Sequence, residues 1–189
     1  SPCAEIEMIP PLIVHEATGR GINLIAITDH NSSANIWAVQ KAAKDFDLVV
    51  LPGMEIQTQE EVHTLCLFDT LEQIEVFQKY VDRHLPSLEN DADYFGEQFV
   101  VDETGDFIRR ETQLLLTSAT ISFEEAFAEV SRLEGIFIPA HVNRKAFGLF
   151  ENLGMIPRGL PLEALEISRQ IKKEEAVQQF PELISYPLL

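Results

Sequence analysis

Short apolar runs of strand length alternate along the chain with longer segments in which apolar residues recur every three or four positions. Continuous aliphatic runs are typical of parallel strands buried on both faces, and the longer period is typical of amphipathic helices. The pattern predicts strands over 22–28, 48–56, 62–68, 136–142 and 164–168. It predicts helices over 7–18, 35–46, 71–84, 122–133 and 172–180. The strand–helix–strand order of the first half favours parallel pairing and an α/β fold.

The second and third predicted strands are joined by a polar link, Gln59-Glu60-Glu61. This link is too short for a crossover and suits an antiparallel hairpin. The start of the third strand would then lie beside the end of the second, so we expect His63 to lie near Glu55.

Residues 86–118 interrupt the alternation of strands and helices. Two apolar stretches, 99–102 and 106–109, flank Glu103-Thr104-Gly105, which is typical of a hairpin turn. We interpret 86–118 as an insertion or lid within a single domain over 1–189. The hairpin at 98–110 is predicted to cover the functional site and to sort substrates by size.

The composition is that of a globular protein. The chain has 189 residues, 46% of them hydrophobic and 24% charged, which is enough for one sizeable core. It shows no apolar run of membrane-spanning length and no signal-peptide pattern. The two cysteines, Cys3 and Cys66, fit neither a disulfide framework nor a CxxC metal site. We therefore expect a cytoplasmic protein, and the sequence leaves its oligomeric state open.

The net charge of −17 bears on the partners that the chain can bind. A field of this sign repels polyanions, and the sequence shows no cluster of lysines and arginines. The expectation is no duplex nucleic acid and no membrane among the partners. A small phosphorylated substrate remains compatible, because bound cations can reverse the local charge.

Residue types that bind metals stand at the ends of the predicted strands. Asp29 and His30 follow the first strand, Glu55 closes the second, His63 begins the third and His141 closes the fourth. Each residue has an ordinary alternative: Asp29 as a helix cap and Glu55 in an ion pair. For the histidines the alternatives are a loop residue for His30, a hydrogen-bonded core or rim residue for His63, and a bond to a backbone carbonyl for His141. Chemistry in parallel barrels sits at the carboxyl ends of the strands. Together these positions favour a centre for Mn, Zn or Fe.

A metal centre of this kind would support hydrolysis. Such ions lower the pKa of a bound water from 15.7 to about 7 and polarise a phosphoryl oxygen. Arg144 could hold a phosphate through a bidentate contact, although a surface ion pair is the commoner role of an arginine. His15 and His84 are predicted to lie in solvated helices.

Four segments resemble, in order, motifs of the polymerase and histidinol phosphatase (PHP) family. They are Thr28-Asp29-His30, Pro52-Gly53-Met54-Glu55-Ile56, Val62-His63-Thr64-Leu65 and Ala140-His141. The resemblance implies a distorted (β/α)7-type barrel with two or three metal ions and phosphoester hydrolysis through a metal-bound hydroxide. It implies that His30, Glu55, His63 and His141 are metal ligands, with Asp29 and His30 catalytic. Arg144 matches a basic position that follows the third motif.

Two motifs of the family are not found in the chain. The first, His-x-His, would precede Ser1-Pro2-Cys3-Ala4, and the last, Asp-x-His, would begin about where Leu189 ends the sequence. We interpret this as loss at both ends rather than degeneration. If this chain were the whole molecule, metal affinity and activity would be much reduced.

Three functions follow from these observations. The first is a metal-dependent phosphoesterase for a small sugar, alcohol or nucleotide phosphate. The second is a non-catalytic module of the same fold, used for binding or scaffolding. The third is a barrel metallohydrolase that acts on C–N bonds.

Overall fold

The computed structural model describes residues 8–189. The strands are β1 (Leu24–Ile27), β2 (Val49–Gln57), β3 (His63–Leu67), β4 (Phe99–Val101), β5 (Phe107–Arg110) and β6 (Ile136–Pro139). The helices are α1 (Pro10–Gly19), α2 (Ile36–Ala42), α3 (Leu71–Asp82), α4 (Ala92–Phe95), α5 (Phe123–Arg132), α6 (Leu149–Leu153) and α7 (Lys173–Gln179), followed by a 3-10 helix, Pro181–Ser185.

The main sheet has the strand order β1-β2-β3-β6. β1 and β2 are parallel, and β3 is antiparallel to both β2 and β6. The predicted hairpin between β2 and β3 is therefore confirmed. The carboxyl ends of β1, β2 and β6 and the start of β3 share one edge of this sheet, which we call the site edge.

The chain continues beyond β6 with an extended segment at 164–168. The Glu166 N–H donates to the Pro139 carbonyl at 3.0 Å, and the Val142 N–H donates to the Glu166 carbonyl at 2.9 Å. A single bridge joins Leu165 to Leu188. The fold is thus a mixed α/β fold with the sheet extended past β6, and residues 8–189 do not close into a barrel.

The core lies mainly between the sheet and the helices α3 and α5. Ser122 caps α5 by accepting the N–H of Glu125, whose carboxylate returns to the Ser122 N–H. The buried side chains at the centre include Phe77, Phe123 and Phe137. A second cluster on α1, α2 and β2 includes Val14, Val39 and Val50. None of the helices between residues 8 and 189 combines the length and apolar character that a membrane span requires.

Most predicted elements differ from the structure at their ends, but the strand expected over 164–168 is wrong, since only an isolated bridge at Leu165 forms there. The fourth main strand was expected over 136–142 but ends at Pro139, because proline has no N–H to donate and His141 takes a backbone φ of +33°. The short helices α4 and α6 were not predicted, since each spans little more than one turn.

The hairpin in the insertion forms a two-stranded sheet of its own, β4 with β5. It is attached to the start of α2. The Asn35 side chain donates to the Phe99 carbonyl at 3.1 Å and accepts the Val101 N–H at 3.0 Å, and Lys41 pairs with Glu103 at 2.5 Å. The hairpin therefore stands beside the segment that follows His30.

Candidate metal centre

Glu55 lies at the middle of a cluster of three imidazoles on the site edge. Its Oε1 is 3.0 Å from Nδ1 of His63 and 3.4 Å from Nε2 of His141. Its Oε2 is 3.7 Å from Nε2 of His30. The structure thus brings together all four residues that the resemblance implies as ligands, although they come from four separate segments of the sequence.

The backbone ladder between β1 and β2 sets the positions of His30 and Glu55. The Glu55 N–H donates to the Asp29 carbonyl at 3.1 Å, and the Asn31 N–H donates to the Glu55 carbonyl at 2.9 Å. Gly53 permits this close approach, because a Cβ there would lie 2.8 Å from Cγ2 of Thr28. His30 and Glu55 therefore meet through strand register rather than through flexible side chains.

His63 is buried and held on three sides. Its ring stacks on the Phe147 ring with centroids 4.4 Å apart. The backbone N–H of His63 donates to the Phe147 carbonyl at 3.1 Å. Its Nε2 lies 3.3 Å from Oε1 of Gln57, and the Gln57 amide donates to Oγ of Ser118 at 2.8 Å. Because an amide oxygen only accepts, Gln57 is a partner for an N–H at Nε2, and Nδ1, 3.0 Å from Oε1 of Glu55, is the nitrogen placed to bind a cation.

His141 is held in a strained backbone conformation. Its φ of +33° is unusual for a residue with a Cβ, and strain of this kind persists where the surroundings enforce it. The His141 N–H donates to the Glu166 carboxylate at 2.9 Å. Its Nδ1 is buried without a hydrogen-bond partner within residues 8–189. A buried imidazole nitrogen with a free position is suited to bind an ion.

The electrostatics of the cluster favour the charge states that bind metals. Burial raises the pKa of Glu55, but hydrogen bonds from His141 and His63 outweigh it, so the pKa lies well below its usual value. Burial lowers the pKa of His30, against the opposite pull of Glu55. Glu55 is therefore ionised and His30 neutral at physiological pH.

The donor set fits a divalent transition metal. Three possible ligand atoms, one each from His30, Glu55 and His63, lie within 4.8 Å of one another. Imidazole nitrogens with a carboxylate suit Zn, Mn or Fe, and His141, whose Nε2 is 3.4 Å from Oε1 of Glu55, lies beside these three ligands.

The remaining predicted residues have different surroundings. Asp29 lies beside His30 at the end of β1, and Arg144 is exposed in the turn after His141, where its N–H donates to the His141 carbonyl at 2.9 Å. His15 lies exposed on α1, and His84 packs its ring on Tyr80 just beyond α3. His15 is therefore exposed on a helix as expected, whereas His84 is half-buried in the turn after α3 rather than in a solvated helix.

Of the two cysteines, Cys66 is the one within residues 8–189. Cys66 is fully buried in β3, and burial raises the pKa of its thiol, which makes it unreactive. Cys3, with the segment 1–4 expected to follow the first family motif, lies outside the described residues.

Sequence reasoning missed three side chains that support the cluster: Gln57, Phe147 and Glu166. Gln57 carried a usable signal, because it lies two residues after Glu55 on one strand and so shares its face. Phe147 and Glu166 carried none, since only the loop after β6 and the segment at 164–168 bring them to the histidines.

Replacing Gln57 with leucine is expected to lower metal affinity about 10- to 100-fold, the usual cost of removing a group that orients a ligand. The apolar side chain would leave Nε2 of His63 without its acceptor. Titration calorimetry with Mn²⁺ or Zn²⁺ measures the effect. Gln59→Leu is the matched control, because the Gln59 side chain is exposed and donates a long hydrogen bond to Glu60 at 3.5 Å. Equal affinities of the two variants would contradict this role of Gln57.

The metal-free protein is expected to lose stability as the pH falls from 6.5 through 4.5. These two limits are the ordinary pKa values of a histidine, here His30, and of a glutamate, here Glu55. Below 6.5 the unfolded chain protonates His30 before the folded one does, which favours unfolding. The contribution of Glu55 is complete above 4.5 and is lost as the pH falls towards its lower folded pKa. Melting temperatures in a chelator should show this fall, and Glu55→Gln should flatten its acid part. A melting temperature that rises over this interval would contradict the assignment.

The chain resembles known proteins over different lengths in sequence and in structure. No family model matches the chain. One curated relative, a 5'-3' exoribonuclease of Haemophilus influenzae, is 36% identical over 52 residues, which are 28% of this chain and 19% of that protein. The chain therefore spans a small part of that relative.

Solved structures show the same fold over almost the whole chain. Endonuclease Q from Pyrococcus furiosus matches with a TM-score of 0.69 and 18% identity over 100% of this chain and 44% of its own. A Bifidobacterium adolescentis protein assigned as a metal-dependent phosphoesterase matches with a TM-score of 0.57 and 15% identity over 95% of this chain and 80% of its own. The resemblance to PHP-type proteins is therefore confirmed at the level of the fold.

A third fold neighbour is an amidohydrolase from Chromobacterium violaceum, solved with bound sulfate and no metal. Its TM-score is 0.61 with 14% identity, over 100% of this chain and 82% of its own. The neighbours are thus all hydrolases, but they differ in the bond that they cleave.

The prediction that duplex nucleic acid is excluded was wrong. Endonuclease Q has been solved in complex with a 27-mer duplex substrate carrying an abasic lesion, and that structure matches this chain with a TM-score of 0.68 and 15% identity over 98% of the chain and 44% of its own. The net charge of the chain was a poor guide to its partners. The electrostatic potential at a site depends on the charged groups beside it rather than on the net charge of the whole protein.

Proposed function

We propose that this chain is the metal-binding part of a phosphoesterase of the PHP type. The observation that carries the proposal is the contact of one carboxylate, Glu55, with three imidazoles at one edge of the sheet. The wall formed by β1, β2, β3, β6 and the segment at 164–168 would belong to a (β/α)7-type barrel. Residues 1–189 would all belong to this one domain.

The proposed roles of the residues follow from their positions. His30, Glu55, His63 and His141 would hold two or three divalent ions in an intact domain. Such ions would supply Lewis-acid activation of a phosphoryl oxygen and of a water. Asp29, beside His30 at the end of β1, is the proposed acceptor for the proton that leaves the attacking water.

Phosphate esters of two sizes fit this chemistry. The sequence prediction was a small sugar, alcohol or nucleotide phosphate. The likeness to an exoribonuclease and to Endonuclease Q adds the phosphodiester of a nucleic acid. Arg144, three residues after His141, would bind the phosphate in either case. A cytoplasmic location stays a prediction from the cysteine pattern.

The test combines metal binding with ester hydrolysis. Mn²⁺ or Zn²⁺ should raise the melting temperature, because a ligand of the folded state stabilises it by about 2.7 kcal/mol at 100 times its Kd. His63→Ala should abolish this rise in melting temperature. His15→Ala, at an exposed position of α1, should retain it. The metal-loaded protein should cleave p-nitrophenyl phosphate or its bis ester. Absence of both a metal-dependent shift and ester cleavage would overturn the proposal.

C–N bond hydrolysis is the second candidate, favoured by the likeness to an amidohydrolase. It predicts turnover of an amide or cyclic imide with phosphate esters inert. A non-catalytic module predicts instead that Mn²⁺ and Zn²⁺ leave the melting temperature unchanged. The same experiments therefore separate all three functions.

The hairpin of the insertion is proposed as a lid that sorts substrates. A cleft of about 460 Å³ lies between Arg109 of the hairpin and the segment 31–34, which follows His30. Deleting 97–111 should change the ratio of activities on small and large esters more than it changes bound metal, measured by elemental analysis. Equal loss of metal and of both activities would contradict the lid.

A further inference from the structure

Two exposed arginines flank a reciprocal pair of hydrogen bonds at the site edge. The Asn143 amide donates to Oγ of Ser168 at 3.0 Å, and the Ser168 N–H donates to Oδ1 of Asn143 at 2.8 Å. Arg144 is the next residue after one partner, and Arg169 is the next after the other. These bonds hold the loop after β6 against the loop after 164–168, so the two arginines stand on neighbouring loops.

Arg144 is connected to the histidine cluster through the backbone, and Arg169 lies three residues after a side chain that contacts it. The Arg144 N–H donates to the His141 carbonyl at 2.9 Å. The Glu166 carboxylate accepts the His141 N–H at 2.9 Å, and Arg169 follows Glu166 by the same three residues that separate Arg144 from His141. The arginines therefore lie on adjacent loops, each three residues after one partner of this hydrogen bond, and Arg169 also lines a groove along α1 that includes Glu16 and Arg20.

Three further exposed cations extend this pair, Lys145 on the first loop, Lys172 at the end of the second and Lys173 at the start of α7. Among residues 8–189, no carboxylate forms an ion pair with any of the five. Glu175, on the adjoining turn of α7, directs its carboxylate back to the Lys172 N–H at 3.5 Å. Sequence reasoning found no basic cluster because 144–145 and 169–173 are far apart in the chain.

We propose that Arg144 and Arg169 form a paired phosphate-binding site, and that with the three lysines it receives the phosphate backbone of a nucleic-acid strand. This inference rests on the proposed phosphoesterase function and names its substrate class. One small phosphate is satisfied by one or two guanidinium forks, whereas five unpaired cations on two loops and the start of α7 match several phosphates in succession. A strand held there would present one of its phosphodiesters to the cluster around Glu55.

The test is binding of fluorescein-labelled single-stranded and duplex DNA oligonucleotides by anisotropy, in EDTA and at several salt concentrations. Without metal the measurement is independent of hydrolysis. Arg169→Gln and Arg144→Gln should each weaken binding and reduce the slope of log K against log salt by about 1. Arg132→Gln is the matched control, because Arg132 is exposed on α5 and already paired with Glu129 at 2.6 Å.

Further arms keep the inference falsifiable. Arg169→Lys preserves the charge and should restore most of the salt slope, which a variant that failed to fold could not do. The KM for p-nitrophenyl phosphate should change far less in Arg169→Gln than oligonucleotide affinity does. No binding by the wild-type protein, or equal affinity of Arg144→Gln, Arg169→Gln and Arg132→Gln, would overturn the inference. An equal change for the small ester and the oligonucleotide would also overturn it, and would assign the pair to a single phosphate. None of these results alters the metal and ester test of the proposed function.

Discussion

Glu55→Gln is expected to abolish metal binding and to reduce ester hydrolysis by more than 100-fold. Loss of a residue that merely orients a ligand costs about 10- to 100-fold, so loss of the central anion should exceed that range. Glutamine has the same length but supplies no negative charge, and it replaces one of the two oxygen ligands with an NH2 group that cannot coordinate a cation. Elemental analysis after dialysis against Mn²⁺ or Zn²⁺ measures the first effect, and a p-nitrophenyl ester assay measures the second.

The matched control for this change is Glu61→Gln. Glu61 is an exposed carboxylate in the link between β2 and β3, close in the chain to His63 but outside the cluster. The Glu61→Gln variant should bind metal and cleave esters as the wild type does. Retention of metal by Glu55→Gln, with activity within a few-fold of the wild type, would remove the basis of the proposed function.

Phe137→Ala is expected to destabilise the protein by about 3–5 kcal/mol, a large part of the usual 5–15 kcal/mol. Phe137 lies on β6 with 1% of its surface exposed. Its ring meets Phe123 edge-on at 5.1 Å and Phe127 at 5.7 Å, so truncation leaves a cavity between β6 and α5. Thermal melting should show a fall of about 6–20 °C.

The same truncation at Phe107 serves as the control. Phe107 is 62% exposed on the hairpin and contacts Phe99 edge-on at 5.4 Å. A surface substitution of this kind changes stability by about 0.5 kcal/mol or less. If Phe137→Ala and Phe107→Ala melted at the same temperature, the assignment of Phe137 to the centre of the core would be wrong.

The elements with strong periodicity and the hairpin between β2 and β3 could be predicted from the sequence. A link of three polar residues leaves an antiparallel return as the simplest connection, and such a return is sufficient to place His63 beside Glu55. The residues that meet at Glu55 were also predicted, because metal-binding side chains interrupt otherwise apolar strand ends. Their roles as ligands stay a prediction.

Other features depend on contacts between distant segments and so could not be predicted. The left-handed backbone of His141 arises from the turn after Pro139 and the hydrogen bond to Glu166. The stacking of Phe147 on His63 depends on the path of the loop after β6. The exclusion of duplex nucleic acid failed for a related reason, since it averaged charge over the chain.

The pairing of β2 sets a strict limit on how this protein can change its length. Side chains alternate across a strand, so Glu55 faces the histidines while its neighbours Met54 and Ile56 are wholly buried in the core. Inserting or deleting one residue in β2 would turn a methionine or isoleucine towards the imidazoles and force a carboxylate among apolar side chains. Length variation between natural versions should therefore concentrate in the 86–118 insertion and spare the segment from Pro52 to His63.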